Sequence, residues 1–157
     1  MKPLLVSFLL CASAVWAQKY NGPRPAKPDL PYLLHASRLL PTEVGTAVEE
    51  EKKEIVTYAV KGASSPVATP LAEPIFLLLS DKLAPEKFML YRMEVKDGRR
   101  VISFNSRKPK ENPRPFNLAL KQLDKGLYRI EANEGLENGE YCLSPQGAND
   151  VFCFRVE

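Results

Sequence analysis

The chain is 157 residues long and carries 22 basic and 19 acidic side chains, a formal charge of +3. That length allows one domain with a core of its own, and the charge is too weakly basic to argue for nucleic acid as a partner. Fourteen prolines disfavour long helices and favour strands joined by stiff loops.

The first segment reads as an export signal. Lys2 and the free amino group make a short positive region, and Leu4 to Ala14 (LLVSFLLCASA) is an apolar run of signal-peptide length. Val15-Trp16-Ala17 then places small or modest side chains ahead of a cut at Ala17/Gln18. A retained anchor needs about 20 apolar residues, and Gln18-Lys19-Tyr20-Asn21 ends this run sooner. Residues 1–17 are therefore expected to be removed and the rest to work outside the cytoplasm, secreted or periplasmic, in a bacterial setting. The mature chain is expected to contain no transmembrane segment. Removal takes away Lys2 and Cys11, which leaves 21 basic against 19 acidic side chains and two cysteines, Cys142 and Cys153. In an oxidising compartment such a pair reads as a disulfide before it reads as a catalytic thiol.

Residues 18–31 (QKYNGPRPAKPDLP) are polar and spaced by prolines, and read as an extended tail without a core. From residue 32 to 157, short apolar runs alternate with turn residues, the pattern of a single β domain. Tyr32–Ala36 is the first expected strand. His35 lies in it with no Cys or His at ligand spacing, so it reads as a solvated strand residue and not as a metal ligand. Glu49–Glu54 (EEEKKE) fits a short surface helix by propensity, or the solvated start of the next strand, and the second reading is slightly favoured. Ile55–Val60 follows, with Val56, Tyr58 and Val60 on its inner face. Ile75–Ser80 is apolar on both sides, as in a central strand covered twice.

Met89 to Lys96 alternates at strand period, and Asp97-Gly98 is a favourable two-residue turn. The expected hairpin pairs Lys96 with Arg99, and Met93 and Tyr91 with Ile102 and Phe104. The next stretch, Asn105 to Pro115, holds Arg107, Lys108, Lys110 and Arg114 among three prolines, with Arg99 and Arg100 near the preceding turn. It is the best candidate for contact with an acidic protein or anionic polymer of the envelope, because proline lowers the entropy lost on binding. The plainer reading is a solvated connection. Phe116–Lys121, Leu127–Ala132, Glu140–Ser144 and Val151–Val156 complete the strand series.

Two segments read alike. Leu123-Asp124-Lys125-Gly126-Leu127-Tyr128 parallels Leu136-Glu137-Asn138-Gly139-Glu140-Tyr141. In each, the leucine is expected in the core, the glycine at a bend and the tyrosine pointing inward. If Glu140–Ser144 and Val151–Val156 form a hairpin, Tyr141 opposes Phe154, Leu143 opposes Phe152, and Cys142 opposes Cys153 on the other face.

Leu136, Gly139 and Tyr141 resemble the tyrosine corner of Greek-key β-sandwiches such as immunoglobulin-like domains, whose tyrosine hydroxyl returns to nearby backbone. The resemblance spans about eight residues and implies an all-β antiparallel Greek-key sandwich, with no activity attached. The antibody-type pattern places its cysteine two residues after the tyrosine. Here Cys142 is adjacent to Tyr141, so the inter-sheet bridge of that family is not expected. The alternative, that Gly-x-Tyr recurs at strand starts, stays open.

No nucleophile elbow, phosphate loop, zinc-protease or calcium motif occurs, and no cofactor or metal is expected. The sequence favours an exported, non-catalytic binding or accessory module. Its rival is a small secreted hydrolase, or a modulator of one, working through carboxylates that no motif marks.

Overall fold

The computed structural model describes residues 19–157; the segment read as an export signal, residues 1–17, lies outside the described residues. Strand-period alternation yields thirteen strands: β1 (Tyr32–His35), β2 (Arg38–Pro41), β3 (Glu43–Thr46), β4 (Val48–Lys52), β5 (Ile55–Lys61), β6 (Ala68–Thr69), β7 (Ile75–Leu79), β8 (Phe88–Lys96), β9 (Arg99–Asn105), β10 (Leu118–Asp124), β11 (Leu127–Ala132), β12 (Gly139–Pro145) and β13 (Asp150–Val156). The only helical pieces among the described residues are 3₁₀ turns at Pro85–Lys87 and Pro109–Glu111. One sheet has the order β10-β11-β7-β1-β2 and the other β3-β13-β12-β8-β9-β5-β4, with β6 beside β13. All pairings are antiparallel except the short β6–β13 contact.

The two sheets pack face to face as a sandwich. Leu33, Phe76, Leu78 and Ile130 of the first sheet meet Phe88, Leu90, Tyr141, Leu143, Phe152 and Phe154 of the second. Phe76 and Phe154 meet edge to face with centroids 5.1 Å apart, and Tyr141 stacks on Phe154 at 5.7 Å; both arrangements suit the ring quadrupoles. Phe76, Leu77 and Leu78 are all inaccessible, so β7 is covered on both faces at the centre of its sheet.

The larger sheet does more than cover the sandwich. Its two edge strands, β3 and β4, are consecutive in the chain and separated only by Ala47. One stretch of chain therefore pairs first with β13 and then with β5, and the sheet curls until its edges meet in that stretch. The result is a barrel with β3 and β4 sharing one position. Side chains alternate along a strand, so β12 and β13 serve two cores. Tyr141, Leu143, Phe152 and Phe154 face the sandwich, while Cys142, Val151 and Cys153 face the barrel interior with Ala47, Val60, Met93 and Ile102.

Several elements differ from their expected form. Glu49–Glu54 is neither a helix nor the start of the following strand: residues 48–52 form their own strand, turned at Lys53 (φ 56°) into a hairpin with β5. The first strand ends at His35, because Ala36 (φ 55°) turns the chain back into β2. The β10 strand starts at Leu118, and Phe116 makes an isolated bridge to Leu90. The β8–β9 turn carries positive φ at both Asp97 (51°) and Gly98 (72°), as the Asp-Gly pair requires. Pairing then holds for Lys96–Arg99, Val95–Arg100 and Glu94–Val101 only. Beyond Glu94, β8 passes to β12 and the two strands splay.

The segment ahead of β1 is fastened to the domain. Asp29 accepts hydrogen bonds from the backbone N–H groups of Asp81, Lys82 and Leu83 at 2.9–3.0 Å. Its amide donates to the Leu79 carbonyl at 2.8 Å, Arg24 pairs with Asp124, and Pro31 is inaccessible. It is neither a plain extended run nor a free tail: the chain bends at Ala26 and Lys27 and turns at Pro28–Asp29, where Asp29 has φ 56°.

The two similar segments adopt different geometries. Gly126 (φ 70°) forms the β10–β11 turn and Tyr128 is half-buried, whereas Gly139 lies in an extended strand and Tyr141 is inaccessible. The Tyr141 hydroxyl donates to the Glu137 carbonyl at 2.7 Å, and Leu136 is buried beside it. A Tyr141→Phe variant keeps the packing and loses this bond. It should unfold in urea about 1 kcal/mol more easily, with the cost limited because Glu137 is exposed and water can replace the donor.

Candidate functional site

The barrel is closed at one end and open at the other, and the inward row of β9 shows both. Arg100, Ile102 and Phe104 alternate along that face. Arg100 stands at the closed end with no solvent exposure. Its guanidinium grips Glu43 bidentately at 2.6 and 2.8 Å. It also donates to the carbonyls of Gly62 at 3.0 Å and Lys61 at 2.8 Å. Glu140 lies 3.9 Å away and accepts from the Ser64 hydroxyl at 2.7 Å and the Ser65 amide at 2.9 Å. The planar five-donor fork of arginine suits this many acceptors, which a lysine cannot match. Burial raises the Glu43 carboxyl, but hydrogen bonds from Arg100 and Ser65 and the charge of Arg100 outweigh it, so the group sits below its ordinary range.

The opposite end is a cleft of about 610 Å³, within the range of small-molecule sites. It opens where β8 and β9 splay. Tyr58, Tyr91 and Phe104 stand at its mouth with Val56 and Met89. Met93, Ile102, Val60, Ala47, Val151 and Cys142 line it deeper, and the turn from Ser144 to Asn149 forms one wall. Phe104 packs edge to face against Tyr58 at 6.1 Å and Tyr91 at 5.7 Å. Burial pushes the hydroxyls of both tyrosines above their ordinary range; on Tyr58 the Glu49 carboxylate adds to this by its charge and by hydrogen bonding. Glu49 is the one charged residue in the cleft lining.

Cys142 and Cys153 are directly opposite one another and bonded, on the barrel face and away from the aromatic core, with Tyr141–Phe154 and Leu143–Phe152 flanking them in register.

The basic residues after β9 do not enter this site. Arg107, Lys108, Lys110 and Arg114 are all exposed. Lys108 pairs with Glu111 at 3.2 Å, and Arg107 borders a separate shallow depression with Lys53, Glu54 and Ser106. The loop itself is ordered by asparagines: Asn112 accepts from the Asn105 amide at 2.7 Å, and Asn105 accepts from the Arg107 amide at 2.9 Å. Arg99 and Arg100 do not extend this basic surface. Arg99 pairs with Glu50 and Arg100 is the buried plug. His35 is exposed at the end of β1. Among the described residues no group of three or more His, Cys, Asp or Glu could hold a metal ion, and no helix is long and apolar enough to cross a membrane.

The alternation of Met89, Tyr91 and Met93 with Ile102 and Phe104 marks one shared apolar face in the sequence. It does not show that this face lines a cleft and not the sandwich core. No family model, curated protein or solved structure matches this chain.

Two outcomes follow for the barrel. Replacing Arg100 with Leu leaves the half-buried Glu43 without its partner and should cost about 1–3 kcal/mol in urea unfolding, part of it recovered when Glu43 also becomes Leu. Because the folded Glu43 carboxyl lies below its unfolded value of 4.5, its contribution is complete above that pH and drains away as pH falls through the folded value. Acid unfolding of the Arg100→Leu variant should lack this component. Separately, intact-mass measurement of the oxidised protein should show two hydrogens fewer than the reduced chain, and reduction should lower stability by roughly 2–3 kcal/mol for so short a loop.

Proposed function

We propose that this protein is an exported, non-catalytic binding module that receives a small apolar ligand in the open end of its barrel. The observation that carries the reading is the cleft itself: an apolar cavity of about 610 Å³, open at the splay of β8 and β9 and sealed below by Arg100. Burying apolar surface in such a preformed site is favourable without further rearrangement. Export is supported by the pattern of residues 1–17, and the Cys142–Cys153 bridge suits an oxidising compartment. The immunoglobulin-like, Greek-key reading of the sandwich rests on the Tyr141–Glu137 corner. The lining offers a single carboxylate, Glu49, whereas hydrolysis of a glycosidic bond ordinarily uses two facing each other. The acidic pair that the fold brings together, Glu43 and Glu140, is held by Arg100 at the closed end.

Titration with N-phenyl-1-naphthylamine, a neutral apolar fluorophore, tests the reading. The expected result is saturable fluorescence enhancement at one site per chain. It should weaken about tenfold or more when the half-buried mouth residues Met89 or Phe104 are changed to Lys, in variants whose circular dichroism melts remain cooperative. Absence of saturable binding by the folded wild-type protein would refute it.

A further inference from the structure

The charge and ring chemistry at the mouth select among apolar ligands. The lining contains no Lys, Arg or His, and its single charged group is Glu49, on the inward face of β4. Beside it stand three aromatic rings, Tyr58, Phe104 and Tyr91, with Phe104 meeting its neighbours at 73° and 84°. Phe104 thus turns its face in a different direction from each tyrosine, and an aromatic face attracts a cation through its quadrupole. Arg107, an exposed cation of the following loop, borders a different depression. The floor below is apolar, with Met93, Ile102 and the disulfide of Cys142.

We infer that the cleft takes an organic cation, an alkylammonium whose chain lies on the apolar floor and whose charged head sits at the mouth between Glu49 and the aromatic trio. This rests on the proposed binding role of the cleft and adds the ligand class. An apolar floor alone accepts any short chain. The carboxylate and the rings together favour a positive head, and the same carboxylate disfavours a fatty acid or alkyl sulfate of equal length. Quaternary ammonium suits the site best, because its charge is spread over methyl groups that lose little hydration when they meet a ring.

Calorimetric titration of the purified protein with three amphiphiles of one chain length, each below its micellar concentration, tests the assignment: octyltrimethylammonium, octyl glucoside and octanoate. The expected order is cation, neutral, anion, with the cation bound about fivefold or more tighter than the glucoside. Glu49→Gln should shrink that ratio toward unity and Glu49→Lys should invert it. Glu49 is exposed, so neither change threatens the fold. Equal binding of all three, or tighter binding of octanoate, overturns the cation assignment while leaving an apolar binding cleft in place. Binding of none of them overturns both.

Discussion

A guanidinium with no route to water sits where four parts of the larger sheet converge. Arg100 comes from β9, Glu43 from β3, Glu140 from β12, and the carbonyls of Lys61 and Gly62 from the end of β5. Those carbonyls and Glu43 belong to the two sides that the curled sheet must bring together. The ion pair therefore bears on closure directly. A buried charge is costly to strand, so the arrangement penalises any opening that would separate β3 from β5. With that end tied, Ala47 can pass from one partner strand to the other without leaving an unpaired edge, its amide donating to the Asn149 carbonyl at 2.8 Å.

Closure at one end sets what the other end can be. β8 is long enough to divide its pairing: its last three residues stay with β9 and its first six go to β12. The separation that results would expose apolar rows on both strands. It is partly filled by Phe116, whose amide donates to the Leu90 carbonyl at 2.8 Å; the rest is the cleft. The disulfide crosses the two strands that face both cores, so it holds the floor of the cleft and the back of the sandwich together. Cleft and scaffold are two faces of the same pair of strands.

Much of the fold was legible in the chain because it is local. The Asp97-Gly98 turn, the register of Tyr141, Cys142 and Leu143 against Phe154, Cys153 and Phe152, and the central burial of β7 all follow from alternation and turn chemistry within a few residues. The curl was not legible. It depends on the stretch Glu43 to Lys52, whose second half pairs with its near neighbour β5 while its first half, β3, pairs with β13 at the far end of the described chain. Alternation shows which residues share a face and is silent on what that face meets. Met89, Tyr91 and Phe104 thus look like core residues of a sandwich although they surround a cleft. Arg100 looked like one more surface cation beside a basic loop. Its role depends on Glu43, which lies 57 residues away.

The continuity of β3 and β4 through Ala47 has a consequence in time. Thr46 pairs with Asp150 and Glu43 with Cys153, so β3 finds its partner only in the most distant strand of the chain. The β4–β5 and β8–β9 hairpins and the bridged β12–β13 hairpin form from near neighbours and need no such wait. Contacts between remote segments form late because the loop between them must first be closed. The barrel should therefore seal after its hairpins exist, and until then Glu43 and Arg100 are both in water. The cleft, which Val151 of β13 helps to line, is complete only when the last strand arrives.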